Sequence, residues 1–119
     1  MARTSLTKTT LLGPWPSLQP AANALDVTFT AADVANKNQF SASGDDLILV
    51  WNTDGANPYT FTVTSVVDDK NRTGDITTYS LAAGEVGAFR VRNDGWRQTD
   101  GKIYLEGSNA AIKFAVIAL

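Results

Sequence analysis

Clusters of oxygen donors are the first chemistry this sequence offers. Asp68, Asp69, Asn71 and Asp75 place several hard ligands of the kind calcium takes within eight residues. Their spacing departs from the EF-hand loop, and Lys70 and Arg72 lower the anionic field between them, so a solvated loop is the preferred reading. Asp45 with Asp46, or Asp94 with Asp100, are the carboxylate pairs available for glycoside hydrolysis. All four fall in predicted turns, where aspartate is favoured for its local backbone hydrogen bonds. Trp51, Tyr59, Trp96 and Tyr104 are the aromatics from which a sugar-stacking platform would be built. Trp51 lies inside an apolar run and is expected in the core, whereas Trp96, between Gly95 and Arg97, is expected at the surface. Arg90, Arg92, Arg97 and Lys102 fall within thirteen residues. They read as a basic stripe facing an acidic partner or as a solvated sheet face. Asn71-Arg72-Thr73 matches the N-glycosylation acceptor, an accidental match if the chain is not secreted.

The residues that are missing narrow the chemistry further. With no cysteine there is no thiolate nucleophile and no disulfide, and with no histidine there is no imidazole base, no Ser-His-Asp triad and no imidazole metal site. The chain is therefore read as non-enzymatic, with no cofactor. A net charge of −2 and a pI near 4.8 supply no footprint for nucleic acid or an anionic membrane. No stretch approaches a membrane span, and residues 1–10 lack the apolar run of a signal peptide, so synthesis in a cytoplasm without secretion is expected.

Positioning these residues falls to strands. Residues 46–51, Asp-Leu-Ile-Leu-Val-Trp, are apolar on both parities, the pattern of a strand covered on two sides. After the turn 52–58, residues 59–64 put Tyr59, Phe61 and Val63 on one face and threonines on the other. The two stretches together predict a hairpin with a long loop. Further strands are expected at 26–30, 39–42, 76–81, 86–92, 96–98, 103–105 and 111–118, with Thr30 capping a helical turn that begins Thr30-Ala31-Ala32-Asp33. Eight or nine short strands with turn signals between them predict an all-β sandwich over residues 23–119, jelly-roll-like, with an immunoglobulin-like Greek key as the alternative. Residues 1–22 are different: Pro14, Pro16 and Pro20 favour extended backbone and remove ladder donors, so they are expected to run as an arm outside the sheets.

Several stretches resemble the head decoration, or cement, proteins of tailed bacteriophages: the polar start 1–7, residues 29–36, 72–79 (Arg-Thr-Gly-Asp-Ile-Thr-Thr-Tyr) and 98–104. The resemblance implies a virion protein on the capsid exterior that binds the major capsid protein, forms homo-oligomers with a trimer favoured, and bridges coat subunits with a terminal arm. On that expectation Arg3, Leu6, Leu11, Leu12, Trp15 and Leu18 are arm contacts, and Arg90, Arg92, Arg97 and Trp96 a second partner-facing surface. The competing readings are a carbohydrate-binding module using Trp96 and Tyr104, and a tail or fibre component.

Overall fold

In the computed structural model, which describes residues 2–11 and 21–119, the apolar run becomes strand β5. Ten strands are present among the described residues: β1 Thr4–Ser5, β2 Lys8–Thr10, β3 Thr30–Ala31, β4 Asn38–Ser41, β5 Asp45–Asn52, β6 Tyr59–Val63, β7 Ile76–Leu81, β8 Val86–Arg92, β9 Lys102–Gly107 and β10 Ile112–Ala118. They form two mixed sheets packed face to face. The first runs β1-β4-β9-β6-β7 and the second β2-β10-β5-β8, with β3 also paired to β10. This is the β-sandwich that the alternation and turns predicted. No helix among the described residues is long and apolar enough to cross a membrane.

The core lies between the sheets and is filled from alternate positions of each strand. Phe40, Ile48, Val50, Val63, Ile103, Leu105, Ile112, Phe114 and Val116 are almost wholly buried there. Burial of side chains of this size stabilises by roughly 1.5–3 kcal/mol each before conformational entropy is counted. Gly107 lets the segment around Ala32 close over the end of β9: a Cβ at 107 would sit 2.6 Å from that of Ala32.

Several local expectations are corrected. Strands β5 and β6 do not form a hairpin, because the loop between them crosses from the second sheet to the first. Asn52, fully buried, donates to the carbonyls of Asn57 and Leu81 and accepts from the amide of Asp54, which fixes that crossing. The strand expected at 26–30 is reduced to Thr30–Ala31. Thr30 does not cap the following turn; the Asp33 carboxylate does, accepting from the amide of Asn36 at 3.0 Å. Residues 96–98 form no strand, since Asn93–Trp96 is a short helical turn interrupted at Asp94 and Gly95.

The largest correction concerns the N-terminus. Residues 2–11, expected outside the sheets, enter both: β1 pairs in parallel with β4, and β2 in parallel with β10. Between them Leu6 is 8% exposed and joins the core. The prolines behind the sequence expectation all lie beyond residue 11, so they leave the first ten residues free to donate to ladders.

Candidate interaction surface

The two outer faces of the sandwich differ in chemistry. Alternation sends Gln39 and Ser41 of β4, Lys102, Tyr104 and Glu106 of β9, and Thr60 and Thr62 of β6 away from the core, so the first sheet turns a polar face outward. On the second sheet the outward parity is Asp45, Leu47, Leu49 and Trp51 on β5, Val86, Ala88, Arg90 and Arg92 on β8, and Lys113, Ala115 and Ile117 on β10. Register sets Trp51 between Val86 and Lys113, and Leu49 between Ala88 and Ala115. Val86 is 56% exposed and Trp51 36%, while Ala115 and Ile117 are buried although they lie outside the core cluster. The double-parity apolar pattern of β5 thus marks a fully buried inner face and an outer face that is covered only in part: Leu47 and Leu49 are half-buried, and Trp51 is open.

A basic edge borders this patch. Arg90 lies opposite Leu47, and Arg92 opposite Asp45. The Arg90 guanidinium forms an ion pair with Asp45, its Nε donating at 2.6 Å. That hydrogen bond holds the Asp45 carboxyl below its ordinary value and raises Arg90. Arg92 is exposed, and its charge also lowers the Asp45 carboxyl. Phe29 meets the indole of Trp51 edge-on, ring centres 5.4 Å apart, and so anchors the segment leading into β3 at the margin of the face.

The residues expected to form the arm divide into two groups. Arg3 is engaged within the domain: its guanidinium donates to the carbonyls of Asn38 and Leu105, pairs with Glu106 at 3.3 Å and lies 4.1 Å from the centre of the Tyr104 ring. Leu6 is in the core. Leu11 is 49% exposed at the end of β2, its amide bonded to Ala118. Leu12, Trp15 and Leu18 lie outside the described residues. Of the second expected surface, Arg90 and Arg92 belong to the outer face. Trp96 does not: it packs against Phe89, centroids 6.5 Å apart, at the border of the core. Arg97 sits by the turn at Gly101.

Trp51 and Trp96 therefore exchange the places expected of them. Trp96 and Tyr104 cannot make one sugar platform, because Trp96 is turned toward the core while Tyr104 lies on the polar outer face under Arg3 and donates to Asp100 at 2.7 Å. That bond lowers the Asp100 carboxyl and raises the Tyr104 phenol. The acidic loop is also reassigned. Asp75 accepts from the amide and hydroxyl of Ser65, and Asp68 accepts from the amides of Lys70 and Arg72 and pairs with the Arg72 guanidinium. Asp68, Asp69 and Asp94 bring carboxylate oxygens within 4.8 Å of one another; Arg72 already neutralises one of them, and backbone donors account for its orientation. Comparison of the chain with protein-family models, curated proteins and solved structures finds no match.

Proposed function

We propose that this chain is a non-catalytic structural protein of a tailed-bacteriophage virion that docks on the outside of the capsid and stabilises it, with the outer face of the second sheet laid against the major capsid protein. One observation carries the reading: an apolar strip on the sheet face, half-buried Leu47 and Leu49 with exposed Trp51, Val86 and Ala88, bordered by Arg90 and Arg92 on one side and Lys113 beside Trp51 on the other, is opposed by a polar face on the other side of the same sandwich. Exposed apolar patches rimmed by charge mark protein-binding surfaces. Arg92 gives the face a charge suited to acidic groups on the coat surface. A ligand that binds only the assembled shell shifts assembly toward it by mass action, so many modest contacts suffice. Leu11 stays among the contacts. Arg3 and Leu6 are withdrawn from them because they serve the fold.

The test is co-sedimentation of the purified protein with expanded capsid shells. Trp51→Asp should lower shell affinity at least roughly tenfold through loss of an exposed aromatic anchor, while Thr62→Asp on the polar face leaves it unchanged. Equal binding by wild type and Trp51→Asp would reject this face as the docking surface. In purified virions, copy number should stand in a simple ratio to the coat protein; a handful of copies per particle would favour a tail or fibre component.

A further inference from the structure

The two open sides of the sandwich are treated differently. On one side, the gap between β4 and β10 is closed by residues 2–11, which cross from sheet to sheet and drop Leu6 into the core. On the other side, between β7 and β8, a cleft of about 270 Å³ remains, lined by Phe61, Ile76, Tyr79, Gly87, Ala88 and Phe89. Its aromatic floor is ordered: Phe61 stacks on Phe89 at 5.9 Å and meets Tyr79 at 5.5 Å. Tyr79 is 56% exposed.

The two edge strands flanking the cleft are also unlike. Strand β7 is bulged: Phe61 pairs with Tyr79 but Val63 with Ile76, and Thr78 sits at φ +45°. Such a bulge turns an edge away from further pairing. Strand β8 is regular over all seven residues and has β5 as its one ladder partner among the described residues. The amide of Asn52 donates to the carbonyl of Glu85, which fixes the alternation: residues 87, 89 and 91 address β5, and the N–H and C=O groups of Val86, Ala88, Arg90 and Arg92 address the open edge.

We propose that β8 pairs with β8 of a second copy of this chain, antiparallel about a two-fold axis at Phe89, joining the two second sheets into one. The register follows from chemistry. With Phe89, the midpoint of Val86–Arg92, facing itself, Ala88 meets Arg90 and Val86 meets Arg92 of the second copy, and all are residues whose backbone groups point outward. Small residues then oppose large ones, including Gly87 against Val91, and no arginine faces an arginine. Centring the axis on Arg90 would set two guanidinium groups opposite each other, which is unfavourable. Centring it on Ala88 would leave Arg92 beyond the end of the partner strand. The two Phe89 rings form a close cross-strand aromatic pair and extend the aromatic floor of each cleft. This pairing is two-fold, in contrast to the trimer implied by the resemblance, and stands independently of capsid docking.

Sedimentation equilibrium of the full chain without capsids tests the pairing. A monomer–dimer equilibrium is expected, with dissociation on the order of 10–100 µM for so small an interface. Ala88→Pro removes an outward amide without touching the β5 ladder. It should weaken association at least roughly tenfold with an unchanged circular dichroism spectrum. A chain that stays monomeric to about 1 mM, well above that range, a trimer, or a folded Ala88→Pro protein that dimerises like wild type would each overturn the proposal. Hydrogen exchange on the wild-type chain decides the matter even if that variant fails to fold: the amides of Ala88 and Arg90 should gain protection as protein concentration rises, and concentration-independent exchange would refute the pairing.

Discussion

At the scale of single residues, two buried asparagines hold loops that the core cannot reach. Asn38 accepts from the amide of Asp33 and donates to the carbonyl of Thr4, linking the 33–37 turn to the N-terminal segment. Asn52 satisfies two carbonyls and one amide at the point where the chain changes sheets. Buried carbonyls left without a donor are costly, so Asn52→Ala should destabilise by about 2–3 kcal/mol. Urea denaturation monitored by tryptophan fluorescence checks this: the midpoint should fall with little change in slope, whereas an unchanged midpoint would mean that water replaces the amide without loss. Neither asparagine was legible in advance, because a turn asparagine and a buried clasp look alike until the carbonyls they serve are located. The tryptophans teach the same lesson. Trp51 carries the apolar parity of a core residue yet faces outward, and Trp96 follows a flexible Asn-Asp-Gly sequence yet packs inward on Phe89.

At the scale of elements, the N-terminal segment joins stability to the outer face. Strands β1 and β2 contribute two and three residues of parallel ladder, too little to hold alone. Leu6 between them and the Arg3 contacts at Glu106 and Tyr104 supply the rest. Leu6→Ala should therefore cost about 2–3 kcal/mol, and Leu11→Ala, at an exposed position, less than about 0.5 kcal/mol. Thermal melts of the two variants measure the difference, and equal melting temperatures would mean that the segment detaches readily. The strands β4, β5, β6, β7, β8, β9 and β10 were legible because period-two alternation and glycine or aspartate turns define them locally. What alternation cannot carry is the sheet to which a strand belongs. The run 46–51 and the run 59–64 look like hairpin partners, but Asn52 and Asp54 order the intervening loop so that the chain passes to the opposite sheet. Parallel pairing of a threonine-rich segment left even less trace, since it depends on one leucine meeting a gap between distant strands.

At the scale of the whole molecule, an acidic chain carries its carboxylates as clasps on loops and sheet edges. Asp33 is held below its ordinary value first by the Thr4 hydroxyl, Asp45 by Arg90, Asp54 by the Asn57 amide, Asp68 by the Arg72 amide, Asp75 by the Ser65 amide and Asp100 by Tyr104. Because these groups titrate lower when folded than when unfolded, the unfolded chain binds more protons below about pH 5, and stability rises with pH through that interval. The contribution is fully present above the unfolded value near 3.8 and is lost as pH falls through the lowered values. None of these groups is fully buried, though the Asp68 side chain is only 12% exposed, so salt weakens the Asp45–Arg90 pair and, to a lesser degree, the Asp68–Arg72 pair, while the hydrogen bonds from backbone amides persist. Melting temperature should accordingly be flat from about pH 5 to 7 and drop steeply below about pH 4, with the drop only partly reduced in high salt. A melting temperature that held steady or rose below pH 4 would show that the carboxylates do not clasp the loops in solution. Because Asp45 shares its bond with Arg90 at the border of the apolar face, the same acid range should free a second arginine beside Arg92 and make that face more basic just where the loops begin to loosen.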